Sequence, residues 1–158
     1  MKEGKMDNKL IYRDLIFVNQ EFDSQYEMLS FLNNILEEKG FVKDTFLENV
    51  LKREKKYPTG LDTGLIKVAL PHTDSENVNK SCVTVCTLKK PIIFGQMDEP
   101  ENKIEANIVF LLAIKDSKQQ VPVLAKLMGV FADSKKLKEI YESKNIDDVY
   151  KMLIEIIK

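Results

Sequence analysis

Tryptophan is absent from this chain, histidine occurs once and cysteine twice in 158 residues, and each scarcity removes a class of chemistry. Cys82 and Cys86 lie four apart in a segment that alternates like a strand, which separates them by about 13 Å on one face. They cannot bridge each other, and they read as small apolar residues of a buried strand. With no Cys-x-x-Cys pair and one histidine there is no ligand set for a zinc site of the Cys and His kind, so neither metal nor cofactor is expected. Charge of one sign is also lacking: 24 Lys and Arg stand against 25 Asp and Glu, a net charge of −1. That balance lacks the basic excess of a nucleic-acid binder, and nucleic acid is not expected as a partner.

Long apolar runs are missing too. The longest, Ile108 to Ile114, falls far short of the roughly 20 residues that a membrane-spanning helix needs. Met1 to Asn8 is polar and charged, unlike the apolar stretch of a secretory signal. The expectation is a cytoplasmic protein without direct membrane insertion, with a flexible tail over 1–8 and one folded domain over 9–158. A 44% hydrophobic content is enough for a core, and a domain of this size buries about 70% of its unfolded surface.

The order of elements follows from periodicity. Ser24 opens a capping box with Glu27, apolar residues recur at helical spacing from Met28 to Leu36, and Gly40 supplies the stop. A second helix is expected from about Lys43, with Phe46, Leu47, Val50 and Leu51 on one face and Lys52, Arg53, Lys55 and Lys56 at the negative end of its dipole. Tyr57-Pro58-Thr59-Gly60 breaks it. Leu65 to Leu70, Val83 to Leu88 and Ile92 to Phe94 read as strands, and the unbroken run Ile108 to Ile114 reads as a strand buried on both faces. The C-terminal third returns to helices, with Asp133, Ser134 and Asn145 as expected caps. Pro122 is expected in a first helical turn, so a helix should start near Lys118 or Gln119. Together these elements predict an α/β domain, a mixed sheet flanked by helices on both sides.

Chemistry converges on His72, whose unperturbed imidazole offers a neutral nitrogen nucleophile near pH 7. It sits in Leu70-Pro71-His72-Thr73-Asp74 where an apolar strand ends. Pro71 has no N–H to give to a sheet, so pairing should stop there and present His72 at a rigid edge. On spacing alone, an ordinary loop histidine fits as well.

The residues around it resemble a family. Arg53-Glu54-Lys55, then Thr59-Gly60, then Val68-Ala69-Leu70-Pro71-His72 is similar to the signature of the enzyme IIA components of the bacterial phosphoenolpyruvate-dependent sugar phosphotransferase system (PTS), fructose and mannitol superfamily. Tyr57-Pro58-Thr59-Gly60-Leu61 followed by Pro71-His72-Thr73-Asp74 most resembles the galactitol-type members, and the likeness runs from about Leu29 to the C-terminus. The resemblance implies the fructose/mannitol-type enzyme IIA fold and a phosphocarrier working without a cofactor. His72 would accept a phosphoryl group from phospho-HPr and pass it to a cysteine of enzyme IIB, which serves enzyme IIC in the membrane for sugar uptake. It also implies a regulatory alternative of the nitrogen-PTS type, or a module freed from a transcription regulator, in which the phosphorylation state of His72 controls a partner. A third reading, an interaction protein that keeps the fold and has lost the transfer, is opposed by the intact Pro71-His72.

Four further residues enter through the same likeness, each with two readings. Arg53 either holds phosphate oxygens through its guanidinium or anchors a helix end. Thr59 either turns its hydroxyl to the site or caps the turn. The proton on the second nitrogen of His72 goes either to the carboxylate of Asp74 or to a backbone carbonyl, and Asp74 also reads as an exposed loop residue. Gln120 stands where many fructose and mannitol members have a second histidine. It either stabilises the phosphoryl group at a helix N-terminus or completes a capping box with Ser117. The spacing from Thr59 to His72 is a few residues longer than in the mannitol type, Thr73 replaces a small residue, and Gly64 is displaced by one place from the usual glycine. Transient partners sharing the site call for an apolar rim, for which Leu61, Phe94 and Met97 are the choices, each of which also fits a core.

Overall fold

Alternation along the two longest strands decides the layering. The structure, a computed structural model, is described for residues 9–157, so the tail expected over 1–8 lies outside the described residues. In β5 (Lys103–Ala113), Val109, Leu111 and Ala113 face one way and Ile108, Phe110 and Leu112 the other, all buried. The first set packs with α1 (Gln25–Glu38) and α2 (Phe46–Lys56), through Met28, Leu32, Leu36, Phe46 and Val50. The second packs with α3 (Ser117–Phe131), α4 (Ser134–Glu142) and α5 (Ile146–Ile156), through Val123, Leu127, Leu137, Ile140, Val149 and Leu153. A strand with period two, apolar on both faces, thus requires a helical layer on each side, as expected.

The five strands run in the order β1-β4-β5-β3-β2. β1 (Ile16–Gln20) is parallel to β4 (Cys82–Gly95), β4 is antiparallel to β5, β3 (Val68–Ala69) is parallel to β5, and β2 (Gly60–Leu61) is antiparallel to β3. The sheet is therefore mixed.

Several boundaries differ from expectation for local reasons. β1 carries no expected strand pattern; it forms because Ile16 and Phe17 pair with Val85 and Cys86, and its ladder is irregular around Asn19, which adopts a left-handed φ of 56°. The separate strands expected at Val83–Leu88 and Ile92–Phe94 are one strand, β4, because an irregularity between Thr87 and Ile92 absorbs Pro91. β3 is confined to Val68–Ala69, since Leu65 is exposed and Gly64 turns the chain at φ +111°. α2 begins at Phe46 rather than Lys43. α3 begins at Ser117, capped by the Asp116 carboxylate, which accepts from the Lys118 N–H at 2.9 Å. Pro122 consequently falls in the second turn rather than the first, where it gives no N–H to the Lys118 carbonyl four residues back.

Other terminal signals hold. The Ser24 hydroxyl accepts from the Glu27 N–H at 3.1 Å, while the Glu27 carboxylate accepts from the N–H of Asp23, one residue earlier than a capping box requires. Gly40, at φ +83°, closes α1 with paired bonds from its own N–H to Glu37 and from the Phe41 N–H to Leu36. Asp133 and Asn145 cap α4 and α5, whereas Ser134 is the first residue of α4.

Candidate functional site

β3 delivers His72. Ala69 pairs with Val109 of β5, and pairing continues one step further than a proline suggests, because the Pro71 carbonyl accepts from the Leu112 N–H at 3.1 Å. Proline removes a donor and leaves the acceptor. The next residue, His72, is half-buried at the end of that ladder, and its Nδ1 lies 2.7 Å from the Leu70 carbonyl oxygen. A carbonyl only accepts, so Nδ1 carries the proton and Nε2 keeps its lone pair. Burial pushes the His72 pKa below 6.5; the Arg53 charge adds to that, while the Leu70 bond and Asp74 oppose it. Burial therefore favours the neutral ring over the charged one.

Leu70 is itself held from behind. Its N–H donates to Thr59, with Oγ1 at 3.1 Å and the carbonyl at 3.3 Å. Thr59 in turn gives both its donors to Glu54: the hydroxyl to Oε1 at 2.7 Å and the N–H to Oε2 at 2.8 Å. Thr59 and Glu54 are buried, so the Thr59 hydroxyl is spent within the fold rather than turned to the site. Gly60 lets this segment lie flat on the sheet: a Cβ there would stand 2.6 Å from the Gly95 carbonyl oxygen and 2.8 Å from Ile104.

Arg53, at the end of α2, is close enough for its charge to depress the His72 pKa. Its Nε is buried without a hydrogen-bond partner, and its guanidinium carbon lies 5.7 Å from the Tyr57 ring centre. Gln120, in the first turn of α3, is half-buried and donates through Nε2 to the Thr73 carbonyl at 3.3 Å. It is thus tied to the loop carrying His72, and Asp116 rather than Ser117 takes the cap. Asp74 does not orient His72: Nδ1 bonds to Leu70, and the exposed Asp74 carboxylate acts on the ring through charge alone.

Two residues that sequence reasoning did not single out complete the frame. Glu54 was visible only as part of Arg-Glu-Lys, yet its spacing from Phe46 and Val50 places an acid on the buried stripe of α2, a signal that could have found it. The Asn77 amide oxygen accepts from the Thr45 hydroxyl at 2.7 Å and from Asn49 at 3.0 Å, and its nitrogen donates to the Asp74 carbonyl at 3.2 Å. It fastens the loop after His72 to the start of α2, and no local pattern announces it.

Of the expected rim, Phe94 is core, whereas Met97 is exposed and Leu61 half-buried. Leu61 and Met97 line a groove of about 410 Å³ with Met128 and Phe131. Cys82 and Cys86 are buried, free thiols, each pushed up to about 12 by burial. Among the described residues no cluster of His, Cys, Asp or Glu is able to hold a metal ion, and no helix is long and apolar enough to cross a membrane.

The chain is 30% identical over 105 residues to the transcriptional regulator ManR of Bacillus subtilis, covering 66% of this chain and 15% of the regulator. It is 29% identical over 140 residues to the mannitol-specific EIICBA component of Buchnera aphidicola, covering 87% of this chain and 21% of that protein. It thus spans a small part of these two relatives. It is 26% identical over 124 residues to the galactitol-specific EIIA component of Escherichia coli, covering 78% of this chain and 79% of that one. The fold matches enzyme IIA in the complex of the mannitol enzyme IIA with phosphorylated enzyme IIB from Escherichia coli, with a TM-score of 0.75 at 22% identity over 92% of this chain and 99% of that one. Residues 9–156 match the family model described as phosphoenolpyruvate-dependent sugar phosphotransferase system, EIIA 2, and the chain belongs to that family of phosphotransferase components.

Proposed function

We propose that this chain is a phosphocarrier in which His72 accepts a phosphoryl group from phospho-HPr and passes it to a cysteine of an enzyme IIB. The observation that carries the reading is the neutral imidazole whose Nδ1 proton is given to the Leu70 carbonyl, beside the Arg53 guanidinium. In the first step the Nε2 lone pair forms a bond to phosphorus as the bond to the donor's imidazole breaks, and the donor ring takes that electron pair and leaves neutral. The His72 ring becomes a phosphoimidazolium, and the charge it gains strengthens the Nδ1–H bond to Leu70. In the second step a thiolate attacks phosphorus and the electron pair returns to Nε2. Such transfers need positioning and charge stabilisation rather than covalent help, so a small domain suffices.

Arg53 supplies the cation for the equatorial oxygens, with its buried Nε as a donor. Gln120 lies near enough to the His72 loop for its amide to hold a further oxygen. Asp74 opposes retention of the dianion and favours its release. The solved mannitol complex supports an enzyme IIB as acceptor, and the galactitol-specific relative of similar length supports a role in sugar uptake of that type.

The likeness to ManR favours a second reading, a regulatory module whose phosphorylated His72 alters the behaviour of a protein partner. One experiment tests both. The chain is incubated with phosphoenolpyruvate, enzyme I and HPr, and intact mass records whether it gains one acid-labile phosphoryl group that His72→Ala does not. Discharge by a cognate enzyme IIB then marks the carrier; a stable phosphoprotein that no enzyme IIB discharges marks the regulator. No gain with competent HPr overturns both.

A further inference from the structure

We propose that Glu54 and Thr59 are positioning residues for His72, acting through the Leu70 peptide to hold the acceptor that keeps the ring proton on Nδ1 and leaves Nε2 bare. Four hydrogen bonds make a continuous path from Glu54 to the imidazole. Both Glu54 oxygens accept from Thr59, at 2.7 and 2.8 Å; Thr59 accepts from the Leu70 N–H; and the Leu70 carbonyl accepts from Nδ1 at 2.7 Å. The path has a direction. Because the Thr59 hydroxyl gives its proton to Glu54, its lone pairs are free for the Leu70 N–H. A neutral partner at 54 that presented N–H groups would turn that proton back toward the Leu70 N–H, setting donor against donor. An acid buried on the packed stripe of an otherwise amphipathic helix needs such a reason, since burial penalises its charge and pushes its carboxyl above the usual 4.5. Packing alone would place an apolar residue there.

Only the rate readout rests on the phosphocarrier reading; the tautomer readout does not. The test uses the full chain with ¹⁵N-labelled histidine, and since His72 is the only histidine every imidazole signal is its own. The wild-type spectrum is expected to show the proton on Nδ1. Thr59→Val removes the hydroxyl at nearly constant shape. It is expected to shift the ring measurably toward the Nε2–H tautomer and to slow phosphorylation by phospho-HPr about tenfold at saturating donor with KM unchanged. Thr59→Ser keeps the hydroxyl and is expected to keep both tautomer and rate, which a merely structural role for the side chain would not predict. Glu54→Gln is expected to act like Thr59→Val. A wild-type ring protonated on Nε2 overturns the proposal without any variant. So does a folded Thr59→Val or Glu54→Gln chain that retains the Nδ1–H tautomer and the wild-type rate. If the wild-type chain accepts no phosphoryl group, the phosphocarrier reading falls while the spectra still decide the positioning claim.

Discussion

Nδ1 of His72 and the carbonyl oxygen of Leu70 stand 2.7 Å apart, two residues from each other in the chain. The Leu70 carbonyl, one residue before the last ladder acceptor at Pro71, thereby sets the tautomer of the ring beyond it. Reactivity at Nε2 depends on a backbone atom that side-chain substitution at position 70 does not remove.

The titration of His72 should lie below that of a free histidine. Burial lowers its folded pKa beneath 6.5 while the unfolded value stays near 6.5. Between the two values the unfolded chain binds more protons, so stability rises with pH in that window, and the His72 contribution is lost as pH falls through 6.5 toward the folded pKa. Imidazole signals followed by NMR are expected to give a midpoint below 6.5. The acid limb of stability is expected to flatten in His72→Gln; a midpoint above 6.5 would contradict the burial argument.

Arg53→Gln separates an anchoring role from a phosphoryl-binding one. A hydrogen bond to a charged group is worth about 1.5–3 kcal/mol, so losing it in the transition state should slow phosphorylation about 10- to 100-fold. The melting temperature should change little, because the Arg53 Nε has no hydrogen-bond partner within the fold to lose. Arg53→Lys should restore only part of the rate, for want of the planar fork. Single-turnover rates and melting curves on the same preparations decide; a lower melting temperature at an unchanged rate would make Arg53 structural.

Gln120→Ala should slow transfer modestly, about fivefold, in line with one neutral hydrogen bond of about 1 kcal/mol. Its single bond to the Thr73 carbonyl is long at 3.3 Å, so the fold should be undisturbed. Normal transfer in this variant would remove Gln120 from the mechanism.

Gly60→Ala should destabilise the fold by about 1–3 kcal/mol, as overpacking does. The new methyl would meet the Gly95 carbonyl at 2.6 Å, and backbone cannot step aside as a flexible side chain can. Thermal or urea melts measure the loss. A melting temperature equal to wild type would show that the segment carrying Thr59 has slack.

Much of the fold was legible because its signals are local. The double-faced apolar run at Ile108–Ile114 announces a sheet covered on both sides, and Gly40, Asp133 and Asn145 mark helix ends through bonds that span a few residues. β1 escaped because its strand character comes from pairing with β4, more than sixty residues away. The joining of Val83–Leu88 to Ile92–Phe94 escaped because a proline that normally breaks a ladder sits in a bulge that only the opposing strand reveals.

At the site, sequence alone determined that His72 is the sole neutral nitrogen nucleophile and that Pro71 sets it at the end of an apolar strand, since both follow from residue identity and covalent geometry. Its proximity to Arg53 and Gln120, its depressed pKa, and the choice of Leu70 over Asp74 as partner of Nδ1 were decided only by the tertiary structure. Each depends on segments 19 to 48 residues apart meeting at the edge of one sheet, or on how water is excluded there. Hydrogen-bond direction and desolvation are properties of packed space, and no spacing along the chain encodes them by itself.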